Sequence, residues 1–352
     1  MKPKVAIIIL NWNGWKDTIE CLESLYKITY KNYDVILVDN GSEDESIKKI
    51  KEYCKGKIEV KSKFFKYNLG NKPIKIIEYT REETENGSDK EREIADLPSN
   101  RKLILIRNEK NYGFAEGNNI GMRYALKTLN PDYILLLNND TVVDKDFLKD
   151  LVKVGERNER IGIIGPKICY YDNPKKVWSA GGKINLFTGA TGNIGDGDPQ
   201  DNYKGIKCVD YVSGCSLLIK SKVIKKIDLI DTKYFLYFEE TDWNIRAHKH
   251  GYTSAINCDV QILHKSGASV RKVKDINYYY FTRNKLILIQ KHGQIIHFLT
   301  FIPLFLMRFI AQFSFNFLKG EFRKCRYMTK GLKDFITERN GIIKFQQNPT
   351  KD

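Results

Sequence analysis

Tyr133-Ile134-Leu135-Leu136-Leu137-Asn138-Asn139-Asp140 is an apolar run that stops on three polar side chains. A short run of this kind predicts a strand buried on both faces, and its abrupt end places Asp140 at the carboxyl edge of a sheet. In open α/β sheets that edge is where ligands bind. The same grammar recurs upstream. Val5 to Leu10 is a β-branched run followed by Asn11-Trp12-Asn13-Gly14, then a helix bearing Ile19, Leu22, Leu25 and Tyr26, with Asp17 or Thr18 as its cap. Asp34 to Val38 is the next strand and ends at Asp39-Asn40-Gly41-Ser42; Ser46 to Tyr53 reads as a helix. Strand, helix and strand with polar residues collected at each strand end predict an α/β fold with a doubly wound, nucleotide-binding sheet.

Residues 55–102 interrupt the rhythm. Glu78 to Asp89 is charged and nearly free of apolar residues, which predicts an exposed, partly mobile insertion. Leu103 to Ile106 resumes the strands. Asn108 to Asn119, with Gly113 and Gly117, suits a loop that approaches a ligand before a helix over Asn119 to Leu129. Asp144 to Val154 reads as helix and residues 171–205 as a long irregular loop. Tyr278 to His292 predicts a long helix.

At 352 residues the chain can bury a large core. The seven Cys are scattered without a C-x-x-C pair, which argues against a disulfide framework or structural zinc and fits a reducing compartment. The N-terminal stretch has no signal-peptide architecture, so the catalytic region is expected to face the cytoplasm. Net charge is +16, and +12 of it falls in residues 265–352, which hold 17 Lys/Arg against 5 Asp/Glu. There the charge abuts Ile295 to Leu318, 24 mostly apolar residues, rather than exposed aromatics. This excludes nucleic acid as the favoured partner and points to an anionic membrane surface. Thr300, Arg308, Gln312 and Asn316 form a polar stripe and Pro303 interrupts the run, so an in-plane or re-entrant helix is expected, followed by a basic amphipathic helix over 322–337. The domain reading is 1–275 catalytic and 276–352 helical.

Asp39 and Asp140, each at a strand end, suit a nucleotide: one carboxylate for a base or ribose, the other for a hard cation bridging a diphosphate. His264 closes a strand and is a further imidazole ligand candidate. Glu239, Glu240 and Asp242 cluster at a helix start behind Tyr237-Phe238. Pairing with Arg246 at i+4 accounts for Asp242. It leaves Glu239 and Glu240 as candidates for a general base.

These blocks resemble the family 2 glycosyltransferases of GT-A fold, and within them rhamnosyltransferase-like enzymes. The resemblance rests on VAIIILNWNGWKDTIECLESL, VILVDNGSEDES, NYGFAEGNNIG, YILLLNNDTVV, SGCSLLIKSKVIKKI, FLYFEETDWNIRAHKHGY, the strand end at His264 and YYYFTRNKLILIQKHG. It implies a mixed, mainly parallel sheet flanked by helices, with a membrane-associating helical extension. It implies contact with a nucleotide-sugar for Asn11, Asn13, Asp39, Asn40, Asn111, Gly113, Phe114, Asn118, Asn138 and Asn139. Asn138-Asn139-Asp140 stands at the family's Asp-x-Asp motif, which makes Asp140, with His264, the ligand of Mg2+ or Mn2+. Glu240 stands at the catalytic-base position, with Glu239 as alternative and Asp242 completing the cluster. The implied reaction is an inverting single displacement from a nucleoside-diphosphate sugar to a glycan or lipid-linked acceptor. The Gln-x-x-Arg-Trp motif of processive synthases is absent. Other hexosyl, galactofuranosyl or N-acetylhexosaminyl transfer, or non-catalytic nucleotide-sugar binding, remain alternative readings.

Overall fold

In chain order the elements are β1 (Val5–Asn11), α1 (Trp15–Leu25), β2 (Tyr33–Asp39), α2 (Ser46–Cys54), β3 (Lys75–Thr80), α3 (Arg81–Asn86), β4 (Lys102–Arg107), α4 (Gly113–Tyr124), β5 (Tyr133–Asn138), β6 (Thr141–Val143), α5 (Phe147–Arg157), β7 (Ile161–Tyr170), β8 (Val177–Ser179), β9 (Gly182–Asn185), β10 (Ala190–Asn193), β11 (Ile206–Val209), β12 (Ser216–Lys220), α6 (Ser221–Ile227), α7 (Glu239–Lys249), β13 (Thr253–His264), α8 (Ile276–His292), α9 (Ile295–Leu318) and α10 (Phe322–Ile336). The computed structural model describes residues 2–87, 90–266 and 275–338. Ser88 and Asp89 of the expected insertion, Gly267 after His264, and residues 339–352 of the C-terminal region lie outside them.

The main sheet runs β11-β13-β7-β12-β5-β1-β2-β4-β3, with β6 added on β13 and β8 on β7. From β5 to β3 every pairing is parallel; β12 is antiparallel to both β5 and β7. The expected mixed, mainly parallel sheet is therefore present. Its stability follows from strand alternation. Ile7, Ile9, Leu37, Leu105 and Leu135 face a layer containing α1, α2 and α5. Ile8, Ile36, Ile104, Ile134 and Leu136 face the opposite layer with α4, α6 and α7. Each such fully buried aliphatic side chain stabilises the fold by about 1.5–3 kcal/mol.

Two stretches differ from expectation. Residues 55–102 are not wholly an exposed excursion, because they supply β3, the edge strand of the sheet. The charged letters hide an alternation in which Ile77 and Tyr79 point inward and Glu78 outward. The approach to β3 is anchored on Glu23, which accepts from Lys72 at 3.0 Å, from Tyr53 at 2.8 Å and from the Asn68 amide at 2.9 Å. Residues 171–205 likewise contain β8 and the β9–β10 hairpin. Gly182 is required there, since a Cβ would overlap the Tyr211 ring at 1.9 Å.

α8 and α10 pack closely, with Gly331 against the Tyr279 backbone and Tyr279 Oη donating to Asp334 at 2.9 Å. α9 runs unbroken through Pro303 and is long and apolar enough to cross a membrane, and its most apolar window is only 6% buried. Its polar stripe faces the protein. Thr300 donates to the Phe187 carbonyl at 2.9 Å and Asn316 is buried against Met328. The opposite face leaves Ile295, Leu299, Leu306, Met307 and Ile310 in solvent.

Candidate active site

Parallel register brings the polar strand ends together: Asn11 lies opposite Asp39, and Leu10 opposite Asn138. β13 ends beside them because His264 pairs with Thr141 of β6, and the Lys265 amide donates to the Asp140 carbonyl at 3.0 Å. Residues 124 positions apart thus become neighbours through one short antiparallel strand.

Beneath the β1–β2 edge lies a closed polar network. Asn11 Nδ2 donates to Asp39 Oδ1 at 2.7 Å, as does Ser42 Oγ at 2.6 Å, while the Ser42 amide serves Asp39 Oδ2 at 3.0 Å. Thr18 links Asn11 to Asn139, at 2.8 and 2.9 Å. Asn13 accepts from the Glu43 amide at 2.8 Å. Asn40 stitches the next loop, donating to Asn111 at 2.9 Å and to the Gly113 carbonyl at 3.1 Å and accepting from Asn108 and the Tyr112 amide. α4 starts at Gly113, earlier than expected, so Phe114 and Asn118 belong to its first turns. Gly113 has φ +81°, and a Cβ there would sit 2.6 Å from Phe235. No other residue allows that turn.

The acidic pair arrives from the opposite side. Tyr237 and Phe238 both adopt left-handed backbone, with φ 68° and 72°, immediately before α7 begins at Glu239. Two successive bulky residues in this region are strained and need support. Asn284 of α8, fully buried, provides it by donating to the Leu236 and Tyr237 carbonyls at 2.9 Å each. Glu239 is buried and Glu240 half-buried, yet one oxygen of each is enclosed without a hydrogen-bond partner. Burial raises the pKa of both carboxyls, and the charge on Glu240 adds to the rise at Glu239. Backbone amides partly offset the rise at both, that of Glu239 for Glu239 and those of Glu240 and Thr241 for Glu240.

A cavity of about 380 Å³ joins these parts. Asn40, Asn111, Gly113, Phe114, Asn138, Asn139, Asp140, His264, Glu239 and Glu240 line it. Asn11, Asn13, Asp39 and Asn118 do not; they lie in or beside the framework under it. Asp242 is also outside the cavity, fully buried between Arg246 at 2.8 Å, Lys291 at 2.8 Å and His292 at 2.7 Å. Burial would raise its pKa, but these partners prevail and hold it at about 2. Sequence reasoning missed Trp12, Trp178, Ser213, Cys215 and Tyr237 as lining residues. Trp178 packs edge-on against His264, centroids 4.7 Å apart. A Trp within a Gly- and Asn-rich stretch was the available signal.

Asp140 Oδ1 faces His264 Nε2 at 3.2 Å, yet Asp140 Oδ1 and His264 Nδ1 have no hydrogen-bond partner. Cis ligands of one hard cation at its usual oxygen distance lie about 3 Å apart, so this donor pair fits a shared ion completed by substrate and water oxygens. Burial works against a charged His264, but Cys215 and Asp140 outweigh it and raise its pKa well above the usual value. No group of three His, Cys, Asp or Glu suited to a metal occurs among the described residues.

The fold and cavity define an α/β protein of GT-A architecture with its site at the carboxyl edge of the sheet. The chain belongs to glycosyl transferase family 2, whose model matches residues 6–76 and 84–226. It is 27% identical over 145 residues to the low-salt glycan biosynthesis hexosyltransferase Agl10 of Haloferax volcanii, covering 40% of this chain and 44% of that one. It is 26% identical over 207 residues to the dTDP-rhamnosyl transferase RfbF of Shigella flexneri, covering 56% and 66%. The match thus spans less than two thirds of either relative's length. The mannosyltransferase PcManGT from Pyrobaculum calidifontis, solved with GDP-Man and Mn2+, shares the fold at TM-score 0.51 and 12% identity, covering 96% of this chain and 88% of that one.

Proposed function

We propose that the protein is an inverting, metal-dependent glycosyltransferase. It moves a hexosyl unit, rhamnosyl in the favoured case, from a nucleoside-diphosphate sugar to a hydroxyl of a lipid-linked or glycan acceptor at the cytoplasmic face of a membrane. The observation that carries this reading is the convergence of Asp140, His264, Glu239 and Glu240, each with a buried unpartnered polar atom, on one cavity at the sheet edge. Buried polar atoms of this kind are costly unless a ligand completes them. Similarity to the hexosyltransferase Agl10 and the dTDP-rhamnosyl transferase RfbF supports hexosyl transfer, and the apolar face of α9 supports a membrane.

Glu240 removes the proton from the acceptor hydroxyl as that oxygen bonds to the anomeric carbon. The bond from that carbon to the phosphate oxygen breaks, and the nucleoside diphosphate leaves with the electron pair. Asp140 and His264 would hold Mg2+ or Mn2+, which when bound neutralises charge on the departing diphosphate. Asn284 positions Glu240 by holding the strained turn ahead of it, and Asp242 ties α7 to α8 in a structural role.

Hydrolysis of a panel of dTDP-, UDP- and GDP-sugars identifies the donor. With that donor, Glu240→Gln should lower transfer by about 10²–10⁴-fold while donor affinity is retained. Full transfer by the variant would remove Glu240 from the mechanism.

A further inference from the structure

A second trough, of about 790 Å³, lies between α8, α9 and α10. One wall is an aromatic ladder on α9, in which Phe301, Phe305 and Phe309 follow at centroid spacings of 5.5 and 5.9 Å. The rest of the lining mixes apolar and polar side chains, among them Asn277, Thr282 and Gln312, with two cations, Lys285 from α8 and Arg308 from α9. Neither is ion-paired to a carboxylate among the described residues; Arg308 reaches only the Thr188 carbonyl, at 3.5 Å. Burial and the charge on Arg308 both pull the Lys285 ammonium below its usual value. Two like charges beside an aromatic wall repel each other until an anion joins them.

Three of the basic residues of α10 present a contrast. Arg323, Lys324 and Lys330 are already paired with Asp275, Glu321 and Asp334, at 3.0, 2.7 and 3.5 Å. Arg326 and Lys333 of α10 are exposed without an ion pair among the described residues, so what sets the trough cations apart is the aromatic wall beside them as well as the missing counter-ion. The trough also adjoins the catalytic cavity. Phe281 of the trough stacks on Tyr237 of the cavity, centroids 4.8 Å apart and planes 15° from parallel. Ile276 and Asn277, consecutive on α8, line one space each. The β9–β10 tip closes onto the ladder, where Gly189 is packed so tightly that a Cβ would meet Phe301 at 2.5 Å.

We propose that this trough binds the phosphate of a lipid-linked acceptor. Lys285 and Arg308 hold the phosphate, the hydrocarbon lies along Phe301, Phe305 and Phe309, and the sugar-bearing end passes Phe281 and Tyr237 toward Glu240. The assignment deepens the transferase reading and rests on it for the lipid's role as acceptor.

The test uses the full chain in a neutral detergent and calorimetric titration with farnesyl phosphate, farnesol and inorganic phosphate. Farnesyl phosphate should bind at least about tenfold tighter than either, the size expected for one charge-assisted contact in an apolar site. Lys285→Gln with Arg308→Gln should abolish that preference, and Lys285→Arg with Arg308→Lys should keep it, which separates charge from folding. UDP and dTDP titrated into the same samples read the donor site independently. Nucleotide binding without a farnesyl phosphate preference overturns the trough and leaves the donor reading standing; the converse result keeps the trough and sinks the donor reading. Retention of the preference by the glutamine pair overturns the proposal. So does displacement of farnesyl phosphate by phosphatidylglycerol vesicles at matched phosphate, which would make the trough a bilayer contact.

Discussion

The two sides of the catalytic cavity are built on opposite principles. On the β1–β2 side, Asn11, Asp39, Ser42, Asn40 and Asn111 satisfy one another, with Asn108 Oδ1 the exception. On the β5–β13 side and across at α7, Asp140, His264, Glu239 and Glu240 are enclosed with atoms left over. A completed network fixes loop shape before any ligand arrives and costs nothing to reorganise. An incomplete one stores binding and protonation capacity at the expense of stability. We read the first side as a frame and the second as the working surface, so substitutions on the two should fail differently: loss of function on the working surface, loss of stability in the frame.

The largest effect that probes this contrast is expected at Asp140. Asp140→Asn should lower transfer by about 10²–10³-fold, the scale of losing one electrostatic stabiliser of a departing charge. The independent readout is thermal. Mn2+ should raise the melting temperature of wild type in the presence of UDP, and chelation should reverse it; neither should affect the variant. An Asn variant that still responds to Mn2+ would place the ion elsewhere and break the comparison.

How legible this was depends on which interactions were local. The strand ends at Asn11, Asp39 and Asp140 were readable because a buried strand must be apolar until it leaves the sheet. His264 was readable as a ligand candidate at a strand end, but its place beside Asp140 was not, since its register partner Thr141 belongs to a three-residue strand with no periodicity to detect. β3 was missed because an edge strand buries only alternate residues, and Ile77 and Tyr79 sat among charges. Trp178 offered only the weak signal of a Trp in a Gly- and Asn-rich stretch, and Asn284 behind Tyr237 and Phe238 was invisible because nothing in its own segment shows what it touches.

A smaller effect is expected in the frame. Asn40 joins its own loop to the β4–α4 loop through both ends of its amide, so Asn40→Ala leaves the Tyr112 amide and Asn108 short of a partner. The expected loss is about 1–3 kcal/mol of folding stability. Denaturant unfolding should reveal it, with donor affinity at low temperature changed far less than in Asp140→Asn. A variant as stable as wild type but unable to bind donor would move Asn40 to the working surface.

The smallest effect runs in the opposite direction. Glu239 has a folded pKa raised by burial and by Glu240, so it keeps its proton in the folded state where the unfolded chain would lose it. Below the unfolded carboxyl pKa of about 4.3 both states are protonated and the group costs nothing. As pH rises above that value the folded state binds more protons than the unfolded one, and stability falls until the raised pKa is passed. Glu239→Gln removes this dependence. Its stability relative to wild type should therefore increase from pH 4 to pH 7, measured by urea unfolding at several pH values. A constant offset between the two proteins would reflect only the fit of the amide; the slope is the test. If the difference were flat, or grew toward acid, Glu239 would be held as a carboxylate, and the working surface would be satisfied after all.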